Sequence, residues 1–149
     1  MLKKFVRTMA YIGGIVTGFY LFASAPGIHK KKKWQHLTGW DYAHCGLYDN
    51  EHGIPENSMA AFRRAVDKGY GIELDVHLTA DNQLVVFHDD TLTRMCGMNK
   101  KISSFLYSDL MQLRLIGTEE GIPLFKDVLE LIDGKVPLII ELKVDGSNQ

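Results

Sequence analysis

Cysteine is scarce in this chain: Cys45 and Cys96 are the only two in 149 residues. Two thiols make no disulfide framework, and they are compatible with a reducing compartment. Internal repeats and low-complexity tracts are also missing, so the chain is not a repeat array. Acid is absent from residues 1–40, which carry seven Lys and Arg (Lys3, Lys4, Arg7 and the lysines at 30–33). The remaining ten bases and all eighteen acids fall in residues 41–149. A net charge of −1 therefore conceals a leader of +7 and a body of −8. An acidic body argues against nucleic acid as a partner, which needs a basic face on the folded part. A basic, apolar leader suits an anionic membrane surface.

Charge is missing altogether from residues 8–28, TMAYIGGIVTGFYLFASAPGI, although bases flank them on both sides. Roughly 20 helical residues cross a bilayer core, so the sequence predicts one transmembrane helix within an anchor at 1–28. The rival is a signal peptide cut after Ala23-Ser24-Ala25, but Pro26 and four lysines immediately follow. The lysines at 30–33 favour a cytoplasmic domain over the opposing pull of Lys3, Lys4 and Arg7. The expectation is a single-pass protein of the cell membrane, with a basic linker at 29–39 and a folded domain at 40–149. Nothing in the sequence bears on its oligomeric state.

The domain alternates strand and helix signals. A short strand in WDYAHCG leads to a loop rich in turn residues, LYDNEHGIPEN, and then to a helix capped at Asn57 or Ser58 and stopped by Gly69. Strands follow at 71–78 and 84–88, split by a turn at Asp81-Asn82. A long loop precedes a short helical stretch at 107–115. A helix opened by Pro123 is stopped by Asp133-Gly134, and a last strand runs over 136–143. This order predicts an α/β fold with a mainly parallel sheet.

Two of those strands have an unusual second face. Ile72, Leu74, Val76 and Leu78 share one side of GIELDVHL, leaving Glu73, Asp75 and His77 on the other. In VPLIIELK, Glu141 and Lys143 likewise stand opposite Leu138, Ile140 and Leu142. In a βα barrel the apolar outer faces pack on helices, and residues late in the strands build the site. Carboxylates gathered in a barrel interior repel one another and are costly to desolvate, and a divalent cation removes both objections. All-oxygen ligation by Glu73, Asp75 and Glu141 favours Ca2+ or Mg2+. The competing reading is a set of solvated or salt-bridged charges, with Lys143 and Arg94 as partners.

His44 and His88 each come at a strand end, where an imidazole is suited to general acid–base work. Lys143 could neutralise an anionic oxygen, and His77 is either a supporting group beside the acids or simple packing. Carboxylates, a cation and two imidazoles together suggest cleavage of a phosphodiester.

The run AHCG…PENSMAAFRRAVDKGYGIELDVHLTADNQLVVFHDDTLTR…IIELK resembles the glycerophosphodiester phosphodiesterases. The resemblance implies a TIM-type barrel and metal-dependent hydrolysis of glycerophosphodiesters to glycerol 3-phosphate and an alcohol, in phospholipid metabolism. It assigns the metal to Glu73, Asp75 and Glu141, acid–base catalysis to His44 and His88, and phosphate contact to Lys143. Glu56 and Asn57 match the family's Glu-Asn pair near the site mouth. A lysophospholipase D-like phosphodiesterase acting on lysolipids, or an inactive membrane-anchored fragment, are the alternatives.

Two departures stand out. The family places a phosphate-holding Arg where this chain has Cys45, so Cys45→Arg is expected to raise activity. A barrel of this type typically needs about 250 residues, and only 40–149 follow the linker. The expectation is an N-terminal part of a longer barrel, inactive or partly unfolded by itself.

Overall fold

A computed structural model describes residues 2–24 and 34–144. It separates into two units, Met1–Thr38 and Gly39–Gln149. The first holds α1, Leu2–Ser24, and a short 310 turn at Gln35–Leu37. Among the described residues no helix is long and apolar enough to cross a membrane. The transmembrane helix expected over 8–28 is therefore not shown by the described residues, which in that stretch end at Ser24. The helix starts early enough to take in Lys3, Lys4 and Arg7, and its uncharged stretch is diluted by Gly13, Gly14 and Gly18. Residues 25–28 of that stretch, and 29–33 of the linker, lie outside the described residues.

The second unit is built on β2, Gly71–Leu78. β1, Tyr42–His44, runs parallel to its first half, pairing His44 with Glu73. β3, Leu84–Val86, folds back antiparallel on its second half. β4, Leu138–Leu142, runs parallel to β2 along five residues, pairing Asp75 with Glu141. Ile72 has partners in both β1 and β4, and Val76 in both β3 and β4, so β1 and β3 share one edge of β2 while β4 takes the other. The expected parallel character holds for three strands, and both flanking strands are shorter than the sequence signal. Gly71 is required at the start of β2, because a Cβ there would come within 2.6 Å of the Tyr42 ring.

Two helices cover one face of this sheet. In α2, Met59–Lys68, Ser58 is the N-cap: its hydroxyl accepts from the Ala61 amide at 3.1 Å, satisfying a donor that the first helical turn leaves free. Gly69, at φ 71°, ends the helix in the left-handed conformation that a Cβ disfavours. α5, Phe125–Ile132, begins two residues after Pro123 and ends at Asp133, also left-handed at φ 46°. Phe62 and Ala65 of α2 and Val128 and Ile132 of α5 pack with Ile72, Leu74 and Val76 in one core. Helical spacing on one side and strand alternation on the other meet there, leaving the second face of β2 for the charged residues.

Residues 79–123 form an excursion with its own small core around Val85, Phe87, Leu92, Ile102 and Leu110. The stretch after His88 is not one open loop, since α3, Thr93–Cys96, supplies a helical turn that buries Met95. The helical stretch expected over 107–115 is shorter: α4 covers Tyr107–Leu110. The Glu120 carboxylate accepts from the Ala60 amide at 3.2 Å, tying the excursion to the first turn of α2.

Candidate active site

The strand register assembles the acids. Glu73 and Asp75 stand two residues apart on β2, and Glu141 is the partner of Asp75 across the β2–β4 ladder. One carboxylate oxygen from each lies within 4.8 Å of the others. Lys143 compensates part of this charge, its Nζ at 2.6 Å from Glu141 Oε1 and 3.0 Å from Asp75 Oδ1. Partial burial opposes the Lys143 charge, but hydrogen bonding to Glu141 and the negative charges of Asp75 and Glu141 outweigh it and raise the ammonium above its ordinary pKa. Lys143 thus spends its charge on the carboxylates here.

Asp75 is fully buried. Its Oδ2 accepts from Asn57 Nδ2 at 3.3 Å and faces Cys45 Sγ at 3.6 Å. Its Oδ1 meets Lys143 as an ion pair without hydrogen-bond alignment and is otherwise orphaned. A buried carboxylate oxygen with an unmet acceptor site, beside two further carboxylates, is a fitting environment for a hard divalent cation. Glu73, Asp75 and Glu141 therefore form a candidate metal centre.

The imidazoles meet beside the acids, where β1 and β3 run toward each other along one edge of β2. His44 is the last residue of β1, its Nε2 at 3.7 Å from Glu73 Oε2. His88 follows β3 by two residues, and the two rings meet edge to face with centroids 6.2 Å apart. His88 Nδ1 is 2.8 Å from Asp89 Oδ1. Arg94 grips the same carboxylate through Nε at 2.9 Å and Nη2 at 3.0 Å. Hydrogen bonding from Arg94, aided by His88, holds the Asp89 carboxyl below its usual pKa against the opposing effect of burial. An ionised carboxylate only accepts, so His88 donates from Nδ1 and keeps Nε2 for proton exchange.

Arg94 also takes both oxygens of Glu56, at 2.7 and 2.6 Å. It joins the loop after His44 to the loop that follows His88. The competing salt-bridged reading, with Arg94 as a partner of the β2 acids, does not hold for Arg94, which serves Glu56 and Asp89, while Lys143 serves Asp75 and Glu141. Reasoning from the sequence misses Asp89, although HDD followed by Arg94 is the signal that marks it. Glu56 sits in this bridge, while Asn57, at φ 53°, turns its amide onto Asp75. His77 is buried, with Nε2 3.5 Å from the His88 carbonyl oxygen.

Cys45 occupies the turn after β1 in a left-handed conformation, φ 54°, and is 1% exposed. Its amide points to Glu73 Oε2 at 3.4 Å, and its carbonyl accepts from the Asn57 amide at 2.8 Å. Burial, then the charges of Asp75, Glu56 and Glu73, push its thiol far above the ordinary range. The expected substrate-contacting position is thus filled by a shut-in, protonated thiol rather than an exposed group.

Residues 49–149 match the model of the glycerophosphoryl diester phosphodiesterase family. The chain belongs to this family. Lysophospholipase D GDPD1 of Rattus norvegicus is 33% identical over 153 residues, covering 93% of this chain and 47% of that protein. A glycerophosphodiester phosphodiesterase of Bacillus altitudinis is 36% identical over 113 residues, covering 71% of this chain and 45% of that protein. Among solved structures, an Oleispira antarctica phosphodiesterase in complex with the product sn-glycerol-3-phosphate superposes with a TM-score of 0.64 at 30% identity. That match covers 72% of this chain and 45% of the other. A glycerophosphodiester phosphodiesterase from Agrobacterium tumefaciens gives 0.63 at 32% identity, with 70% and 47% covered. The chain spans about half the length of the curated relatives it matches. The matched solved structures are likewise covered to 45% and 47% of their length.

Proposed function

We propose that this glycerophosphodiester phosphodiesterase-family chain supplies the metal and proton-transfer residues for hydrolysis of glycerophosphodiesters to glycerol 3-phosphate and an alcohol. The observation that carries the reading is the register. It brings Glu73, Asp75 and Glu141 within 4.8 Å of one another and, where β1 and β3 end facing each other, leaves His44 and His88 with rings 6.2 Å apart. Glu73, Asp75 and Glu141 would hold Ca2+ or Mg2+, which offsets phosphodiester charge. His88 exchanges a proton at Nε2 while Asp89 holds Nδ1, and His44 serves the opposite oxygen. Lys143 keeps Asp75 and Glu141 together and neutralises charge at the phosphate.

The test is release of glycerol 3-phosphate from glycerophosphocholine by the full gene product. The expected result is turnover that needs a divalent cation and is lost in His88→Ala. Cation-independent turnover, or full activity in His88→Ala, overturns the reading. The 33% identity to a protein named lysophospholipase D, over 93% of this chain, favours a second reading in which the substrate is a lysolipid. Lysophosphatidylcholine and glycerophosphocholine assayed side by side separate the two.

Attachment to the cell membrane through residues 8–28, with the domain on the cytoplasmic side, belongs to the same proposal. Its support is the run of exposed apolar side chains on α1 (Ile15, Val16, Phe19 and Phe22 among them) together with the flanking bases. Release into the soluble fraction without detergent overturns it, and reporter fusions at the C-terminus read the side.

A further inference from the structure

Beside the oxygen cage stands a second donor set of different chemistry. His44 Nε2, Cys45 Sγ and a Glu73 carboxylate oxygen all lie within 4.8 Å of one another. Cys45 Sγ is 3.9 Å from His44 Nε2, and His44 Nε2 is 3.7 Å from Glu73 Oε2. Donors bound at zinc's usual distances at the corners of a tetrahedron stand roughly 3.3–3.6 Å apart. The two separations from His44 exceed that by a few tenths of an ångström, and the Cys45–Glu73 pair lies within 4.8 Å, so side-chain rotation must close the set. Sulfur, nitrogen and one carboxylate form a borderline-soft set that suits zinc, whereas Ca2+ and Mg2+ prefer oxygen alone.

We propose that His44, Cys45 and Glu73 bind a thiophilic divalent cation, with Zn2+ as the representative ion, at the mouth of the site. Three protein ligands leave one tetrahedral position for water. His44 coordinates through Nε2 with its proton on Nδ1, and the Cys45 thiol releases its proton to solvent as the sulfur binds. The carboxylates that surround Cys45 attract the incoming cation, and a bound cation reverses the local field that keeps the thiol protonated. The path is open from the His44 side, whose side chain is 68% exposed. Because His44 and Glu73 are taken, Zn2+ excludes both the proton-transfer role of one and the Ca2+ or Mg2+ role of the other. The inhibition by Zn2+ that follows rests on the proposed hydrolysis; the binding does not.

The test adds Co2+, then Zn2+, to the full chain and reads the thiolate-to-cobalt charge-transfer band and competition against a chromophoric chelator. Expected are a band in the wild type and in Cys96→Ala, its loss in Cys45→Ser, and Zn2+ binding weakened roughly 100-fold in Cys45→Ser. Removal of an outer-shell partner alone costs roughly 10–100-fold, so His44→Gln is expected to weaken Zn2+ by a similar or larger factor. Absence of the band in the wild type, its survival in Cys45→Ser, or its loss in Cys96→Ala overturns the proposal. A Ca2+ titration of Cys45→Ser followed by calorimetry tells the two sites apart: calcium binding unchanged while Zn2+ is lost supports overlapping sets that share Glu73 but differ at Cys45. Equal loss of both overturns them. Failure of glycerophosphodiester hydrolysis leaves these metal readouts untouched.

Discussion

On β2, Ile72, Leu74 and Val76 are buried, whereas on β4 Ile140 is 41% and Leu142 70% exposed. The two strands share one alternation, apolar on one face and charged on the other. What differs is their neighbours. β2 has strand partners on both edges and two helices across its apolar face, while among the described residues β4 pairs only with β2. The same contrast runs through the acids: the Asp75 side chain is 1% exposed and that of Glu141 56%. Alternation determines which side of a strand a residue takes. Burial, and with it the strength of a packing or electrostatic contact, comes from what lies opposite.

The largest effects therefore belong to β2. Leu74→Ala is expected to cost about 2–5 kcal/mol, because a cavity opens in a core that α2 and α5 close from above. Leu142→Ala is expected to stay within about 0.5 kcal/mol, as surface changes do. Chemical denaturation of the two variants compares them directly, and equal costs would erase the distinction between the strands. Within the acids, Asp75→Ala should abolish Ca2+ or Mg2+ binding and leave the buried Asn57 amide without its acceptor, at a cost of about 1–3 kcal/mol. Glu141→Ala, at the exposed end of the set, should weaken binding and leave stability nearly unchanged. Calorimetric cation titration alongside thermal unfolding reads both.

Much of this is legible in the sequence, and the reasons are specific. GIELDVHL states both its faces and its extent, because period-two alternation over eight residues has no helical reading. Ser58 and Gly69 bracket α2 through the chemistry of its ends. The Glu73–Asp75–Glu141 set follows once two strands are allowed to be neighbours. Other features cannot be read locally. The Arg94 bridge depends on a contact with Glu56, 38 positions away. The burial of Cys45 depends on Asn57 and Asp75 closing around a left-handed turn. On α1, the absence of charge over 8–28 points to a membrane span, and the described part of that stretch ends at Ser24, where no helix is long and apolar enough to cross one.

A smaller effect comes from the Asp89 bridge, which on the proposed reading orients His88 from outside the acid set. Asp89→Asn keeps the shape but can also donate, so His88 is no longer fixed with its proton on Nδ1. A kcat loss of roughly 10²-fold or more is expected with KM little changed. The folded carboxyl of Asp89 titrates below its unfolded value, so its contribution to stability is complete above the unfolded pKa of about 3.9. That contribution is lost as pH falls through the lower folded value. Wild type and Asp89→Asn should accordingly differ in melting temperature near neutrality and converge in acid. A gap that widens on acidification contradicts the ion-pair account.

The smallest change in folding stability is expected at the outer edge of β4, and there the comparison becomes sharpest. Ile139, Ile140 and Leu142 are exposed, and among the described residues no strand pairs with the outer edge of β4, whose backbone donors and acceptors are open to a second chain. Leu142→Lys adds charge without removing a packed side chain, so monomer stability should move by less than about 0.5 kcal/mol. Self-association of the 149-residue chain should nevertheless fall, because a lysine on each copy repels its counterpart and interrupts the apolar strip. Sedimentation across a concentration series separates the two quantities. If Leu142→Lys unfolds the chain instead, the β4 side chain belongs to a core as fully as those of β2 do, and the contrast between the strands fails.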